Sequence, residues 1–162
     1  MAVGLSVKLT NMRNHIHQSN LIEGYDDPDF DKQSMVAWQR LLEVKHLTRY
    51  DVLKTQKIIT LLQTDLQPWW RGYYRDLSNQ RVWVGGREGL EPAKVPAAMD
   101  AWLDGIELKP PKFSHIEFEH IHPFVDGNGR TGRMLMWWQE IQQGKEPTLI
   151  TFNNRREYYD WF

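Results

Sequence analysis

His122, Asp126, Arg130 and Arg133 fall within twelve residues, HPFVDGNGRTGR, with Gly127-Asn128-Gly129 between the carboxylate and the first guanidinium. An imidazole titrates at about pH 6.5, so it can accept a proton near neutrality. A glycine-asparagine-glycine turn admits positive φ and close backbone approach, and successive N–H groups at a helix start then form a concave nest for an anion. Two arginines three apart on the following helix put planar forks on neighbouring flanks, where they suit different phosphates of one chain. Asp126 would repel the same anion unless a cation lay between, and Mg²⁺ shared by one carboxylate and substrate phosphates resolves that conflict. The pattern points to a nucleotide-phosphate site with its own base.

Several plainer readings compete. Gly127-x-Gly129-x-x-Gly132 matches a dinucleotide fingerprint, but that motif needs a strand running into its first glycine and an acid about 20 residues on. Here Pro123-Phe124-Val125-Asp126 intervenes, and the apolar run Leu149–Phe152 ends in Asn153 and Asn154. Glu117-x-x-His120 and Glu119-x-x-His122 have the spacing of metal ligands on a helix, yet no second such pair exists to complete a site. A histidine and arginine cluster is also a common solvated face. What sets this one apart is the complete set of residue types in one turn of chain.

HPFVDGNGRTGR resembles the signature of the Fic-domain family, His-Pro-Phe-x-Asp/Glu-Gly-Asn-Gly-Arg-x-x-Arg, at every fixed position. The resemblance implies a transferase that moves AMP from ATP onto a Ser, Thr or Tyr hydroxyl of a protein, including its own chain. By it, His122 is the general base and Asp126 holds Mg²⁺ against the α and β phosphates. Gly127, Asn128 and Gly129 form the anion hole, Arg130 grips the phosphate chain and Arg133 reaches its γ end. That division of labour suits phosphoryl-type transfer, which is mostly positioning and charge neutralisation.

The likeness extends along the chain. Gly72-Tyr73-Tyr74-Arg75 and Gln80–Gly86 resemble the family's flap, which covers the nucleotide and pairs with an extended target segment; Val84, Gly85 and Gly86 are its nucleotide-facing part. From residue types alone, Val82-Trp83-Val84 before Gly-Gly predicts a short exposed hairpin. Ser19-x-x-x-Glu23-Gly24 reads first as a helix end, and beside the motif it resembles the family's inhibitory signature. That implies a pairing of Glu23 with Arg133 that blocks the γ-phosphate subsite within one chain. In the family the helix starting at the equivalent of Arg155 runs further, so the end at Phe162 predicts a more open base pocket. Tyr158 would line its adenine end, the ordinary alternative being that at least three of Tyr158, Tyr159, Trp161 and Phe162 pack on the core. Other outcomes within the resemblance are a different transferred group, removal of AMP with Glu23 orienting water, and a non-catalytic nucleotide- or target-binding module. Kinase-like relatives tend to carry lysine where this chain has Gly129.

These residues need a helical scaffold, and 162 residues suffice for one domain spanning 1–162. The expected fold is all-α, a mainly helical Fic fold with a short β-hairpin. Its parts are an inhibitory helix segment over 5–24, a flap region over 72–96 and a catalytic helix-loop-helix over 113–140. The residue before a proline is driven out of the helical region, so a helix through 113–121 should end at His122. Leu5–Ile22 should be helical, with a polar break from Gly24 to Asp31. Met35-Trp38-Leu41-Leu42 and Val52-Ile59-Leu62-Leu66 also have helical spacing. A helix from about Pro96 to Ile106, a turn at Pro110-Pro111 and a final helix from Arg155 complete the pattern.

Eight Trp, six Tyr and six Phe are expected to fill the core rather than stack on bases. Without cysteine, disulfides and thiolate metal sites are ruled out. The N-terminal segment has no apolar run fit for a signal peptide or membrane span, so cytoplasm is the expected location and no membrane the expected partner. With 20 basic and 21 acidic residues, a net charge of -1 gives no support to nucleic-acid binding. The composition is silent on the protein target and admits a homo-oligomer.

Overall fold

The computed structural model describes residues 2–76 and 80–162, with the backbone alone for residues 2–11. Residue 1, residues 77–79 of the expected flap region and the side chains of residues 5–11 in the expected inhibitory segment lie outside the described residues.

The helices follow the apolar spacing, and their ends follow local hydrogen-bond chemistry. Helix α1 (Ala2–Ile22) closes with Tyr25 N donating to Asn20 O and Gly24 N donating to Leu21 O, a Schellman motif with Glu23 at the cap position. Helix α2 (Pro28–Leu42) starts earlier than the polar break predicted. Asp27-Pro28 is a helix start, because the Asp27 side chain accepts from Asp29 N and proline at the first helical position lacks an N–H that would be orphaned anyway. Helix α3 (Arg49–Ile59) has a full capping box between Thr48 and Asp51. It stops short of Leu62 and Leu66: the Thr60 hydroxyl bonds back to Gln56 O, and the chain turns through Gln63 N to Thr60 O. Leu66 still reaches the core, while Leu62 faces solvent.

Helix α4 (Val95–Gly105) matches the expected segment to within a residue. Pro110-Pro111 starts a helix instead of only turning the chain, since Pro111 is the first residue of α5 (Pro111–Ile121). Helix α6 (Asn128–Gln142) is the centre of the molecule and packs against α5, α3, α1 and α2. Its consecutive Met134, Leu135, Met136, Trp137 and Trp138 are all buried, so it carries no one-sided apolar stripe and periodicity could not mark a face. Trp38 of α2 meets Trp137 edge-on at 6.3 Å between ring centroids, and Trp38, Trp102, Trp137 and Trp138 lie in the core as expected, whereas Trp69 and Trp83 are exposed. The final helix, α7 (Arg155–Tyr159), is short and ends before Trp161 and Phe162.

Strands β1 (Trp83–Val84) and β2 (Arg87–Glu88) pair antiparallel with Trp83 opposite Glu88 and Val84 opposite Arg87. Gly85 and Gly86 have φ of 52° and 78°, the two positive values that a two-residue hairpin turn of this hand requires. The fold is thus mostly helical with one small hairpin. Among the described residues no strand runs into Gly127, which leaves the dinucleotide reading without its scaffold. Nor do they contain a helix long and apolar enough to cross a membrane.

Candidate functional site

A cleft of about 400 Å³ opens where the α5–α6 junction, the hairpin, the end of α1 and the C-terminal turn meet. Val84 and Gly85 line it from the hairpin, Glu23 from α1, and His122, Asp126, Gly127, Asn128, Gly129 and Arg133 from the junction. Tyr158, Tyr159 and Phe162 complete the wall. Of the residues singled out from the sequence, Gly86, Arg130, Ser19 and Gly24 do not line this cleft.

His122 caps α5 with φ 50° and ψ 64°, the one described non-glycine residue at positive φ. The helix therefore stops where the proline predicts, but by a left-handed residue rather than an extended one. That conformation costs about 1–2 kcal/mol for an L-residue and persists where surrounding contacts impose it. Its Nδ1 lies 3.3 Å from Glu119 O and 3.5 Å from Glu119 Oε2. With that nitrogen directed toward α5, Nε2 is the ring nitrogen left for proton transfer. Burial alone would push the Glu119 carboxyl up. The hydrogen bond from His122 and the neighbouring charges of His115, His122 and Arg133 outweigh it and hold the group below its usual range.

The loop after His122 is closed by Asn128, whose Oδ1 accepts from Phe124 N and whose Nδ2 donates to Phe124 O, both at 2.8 Å. Its side chain is thus committed to the loop and its contribution to an anion nest is its backbone. Gly127 sits at φ 81°, and a Cβ there would lie 2.7 Å from Thr60 Cγ2, so both conformation and space call for glycine. Gly129 is ordinary helix, and a Cβ there would collide with Glu23 Oε1 and come within 3.0 Å of Arg133 Nη1. Its requirement is room rather than φ. Asp126 is held by α3 and the turn after it: Gln63 Nε2 donates to Oδ2 at 2.8 Å, Gln56 Nε2 donates to its carbonyl at 3.0 Å, and Gly127 N donates to Oδ1.

Arg133 is fully buried, donating from Nη2 to Glu23 Oε1 at 2.7 Å, from Nε to Ser19 Oγ at 2.8 Å and from Nη2 to Ser19 O at 3.0 Å. The contact expected between Glu23 and Arg133 is formed. Burial works to lower the Arg133 pKa, but the Tyr158 oxygen and the Glu23 carboxylate override it and drive it upward. Tyr158 is buried with its hydroxyl between Arg133 Nη1 at 3.1 Å and His115 Nε2 at 2.9 Å, and burial raises its pKa. It therefore backs the Arg133 end of the cleft, while Tyr159, half exposed, stands at the rim. Burial lowers His115 to about 4, so its imidazole is neutral near pH 7.

Arg130 is buried outside the cleft wall with its guanidinium 4.4 Å over the Tyr25 ring and Nη2 bonded to Gln63 Oε1. Its Nε and Nη1 have no hydrogen-bond partner. Among the described residues no three His, Asp or Glu side chains gather as a metal cage, and Glu117 pairs instead with Lys109 at 2.7 Å. Gln56 and Gln63 were not picked out from the sequence, Glu119 was weighed only as a metal ligand, Phe162 only as a core residue, and Arg75 only within the flap resemblance.

Residues 46–139 match the model described as the Fic/DOC family. The chain is 34% identical to the protein adenylyltransferase Fic of Aedes aegypti over 95 residues, 53% of this chain and 19% of that one. It is 30% identical to the protein adenylyltransferase Fic of Drosophila mojavensis over 128 residues, 74% of this chain and 24% of the relative. It thus spans about a quarter or less of these relatives' length. In shape it is similar to a Fic-domain-containing signaling protein from Bacteroides thetaiotaomicron, with a TM-score of 0.78 at 17% identity over 99% of this chain and 74% of that one. Fic-1 from C. elegans gives a TM-score of 0.63 at 19% identity, over 94% and 56% of the two chains.

Proposed function

The chain belongs to the Fic/DOC family, and we propose that it is a self-restrained protein adenylyltransferase that moves AMP from ATP onto a hydroxyl side chain of a protein. The observation that carries this reading is the convergence of His122, Asp126, the Gly127–Gly129 turn and Arg133 on one cleft under a hairpin. In the proposed step the target oxygen attacks the α-phosphorus, the bond from that phosphorus to the bridging oxygen of pyrophosphate breaks, and His122 Nε2 takes the hydroxyl proton. Asn128 and Gly129 offer backbone N–H groups to the phosphates at the start of α6, while the Gly127 N–H is held by Asp126 and its positive φ shapes the turn. Arg133 receives the γ end, and Arg130, buried behind the cleft wall with Nε and Nη1 unpartnered, is proposed to grip the phosphate chain.

Asp126 suits Mg²⁺, being one hard carboxylate fixed by Gln63 in the cleft wall with no competing protein cage, as expected for an ion shared with phosphates. Bound there, Mg²⁺ would neutralise phosphate charge. Glu23 competes with the γ-phosphate for Arg133, since a guanidinium already paired with a carboxylate and two Ser19 oxygens has little left to offer. Strands β1 and β2 are proposed to pair with an extended target segment.

The test incubates Glu23→Gly protein with Mg²⁺ and ATP labelled at the α or the γ phosphate. Retention of the α label on protein supports adenylylation. Retention of the γ label alone would replace it with phosphorylation, and no label on protein together with intact ATP binding would leave a binding module.

A further inference from the structure

The buried guanidinium of Arg75 is a cation beside His122 that the proposed reaction does not use. Arg75 is 1% exposed and forms no ion pair among the described residues. Its charge is instead spread over backbone carbonyls. Nε donates to His122 O at 2.6 Å, and Nη2 donates to Ile121 O at 2.9 Å and to Leu90 O. Nη1 reaches Gln80 O at 3.4 Å, and the Arg75 backbone N–H donates to Pro123 O at 2.9 Å. One residue therefore takes three consecutive carbonyls, 121 to 123, around the left-handed His122, and one carbonyl from each leg of the hairpin.

Burying a cation is costly unless its donors are satisfied by hydrogen bonds. A planar fork with five donors can satisfy such a set, whereas an ammonium presents a point charge. Glycine at 89 makes the arrangement possible. A Cβ there would lie 2.9 Å from Val82 Cγ2, 3.1 Å from Arg75 Nη2 and 3.2 Å from His122 Cβ, so the returning leg lies against both the arginine and the base. Gly89 N also donates to Val82 O at 2.8 Å, closing the hairpin at the level of the guanidinium.

We infer that Arg75 is a positioning residue that locks the backbone of His122 and the base of the hairpin into one body, so that a target held on the hairpin arrives in register with the histidine. The inference rests on the proposed transfer reaction. It separates Arg75 from nucleotide binding, because none of its contacts is to the residues that face the phosphates.

The test uses Arg75→Lys, which keeps the charge and loses the fork, in the Glu23→Gly protein. The maximal transfer rate should fall by roughly 10- to 100-fold, as expected when a base is misplaced by a fraction of an ångström to an ångström. The KM for ATP should stay within about threefold of the parent. Exchange of the Gly89 amide should accelerate at least about tenfold with core amides of α6 unchanged. Gly89→Ala crowds the same junction from the hairpin side and should give the same pattern, which keeps the test readable if Arg75→Lys does not fold. A rate within threefold of the parent, a KM that rises in step with the loss of rate, or unaltered exchange at Gly89 would each overturn the inference. If the Glu23→Gly parent transfers nothing, the transferase reading fails, and exchange at Gly89 alone still decides whether Arg75 joins hairpin and histidine.

Discussion

The two ends of the cleft are built on opposite principles. At the Arg133 end all three nitrogens are engaged: Glu23, Ser19 and Tyr158 surround a buried guanidinium, with His115 behind Tyr158. At the His122 end the groups that would do chemistry are held from behind and left open in front. Gln63 and Gly127 fix Asp126, Glu119 and Arg75 fix His122, and the reactive faces line the cleft. The difference teaches where control and chemistry separate. A carboxylate seated at the far end can exclude a phosphate without disturbing the base, so restraint can be lifted without rebuilding the catalytic end.

The largest expected effect tests the open end. His122→Ala, made in the Glu23→Gly protein, should lower transfer by at least about 100-fold while ATP affinity changes little, measured as initial rate and Kd side by side. Near-parental turnover would remove His122 from the reaction and with it the assignment of that end as chemical. Next comes Asp126→Ala, which should cut Mg²⁺-dependent transfer by about tenfold or more with little change in thermal midpoint. Equal activity in EDTA would remove the metal assignment.

The sealed end is tested by epistasis. Glu23→Gly should raise auto-modification several-fold over the natural sequence, and should fail to do so in an Arg133→Ala background. Competition requires the guanidinium, whereas mere loosening of α1 does not. Unchanged activity and ATP affinity in Glu23→Gly would make Ser19–Gly24 an ordinary helix end. Gly129→Ala attacks the same pair by space alone, since its Cβ would collide with Glu23 Oε1. It should weaken the Glu23 contact and crowd the γ subsite together, seen as a smaller activation than Glu23→Gly with a raised KM for ATP.

Much of this site was legible because its chemistry sits in consecutive residues. His122, Asp126, Gly127, Asn128, Gly129 and Arg133 all line the cleft, brought there by a helix end before the proline and a helix start after Gly127. The supports were not legible. Gln56 on α3 and Gln63 in the turn after it are ordinary polar residues at no telling spacing, and Glu119 on α5 stood out only as half of a metal-ligand spacing with His122. Arg75 reads as one more surface arginine until the fold lays the chain at 121 to 123 against it. Boundaries failed where a side chain competed with helix spacing: Thr60 ends α3 although Leu62 and Leu66 continue the apolar rhythm, and Asp27-Pro28 starts a helix where the polar run suggested a break. Tyr158 packs in the core, the alternative weighed for it, and its place behind Arg133 follows from a buried hydroxyl needing partners, which composition does not reveal.

The smallest effect near pH 7 concerns acid. His115 has its folded pKa lowered to about 4 by burial, so the unfolded chain binds its proton first. The stability this neutral ring contributes is present above about pH 6.5 and is lost as pH falls toward 4, by up to about 3 kcal/mol. The Glu119 carboxyl, held low, adds its own loss below its unfolded pKa of about 4.5. A thermal midpoint that declines from pH 6.5 to 4 in the parent and less steeply in His115→Gln would place the weakness at the sealed end. Equal slopes would place it elsewhere.

The pair of hydrogen bonds between Asn128 and Phe124 sets the shape of the phosphate loop before any phosphate arrives. A loop of this kind surrenders almost no conformational freedom on binding, where a disordered one would lose about 1–2 kcal/mol per residue fixed. On the proposed reading, affinity for nucleotide would then be governed by exchange of one anion for another on Arg133. Calorimetry should find that cutting the Asn128 pair shifts binding from enthalpy toward an entropic penalty, and that removing Glu23 tightens binding with the ordering entropy unchanged.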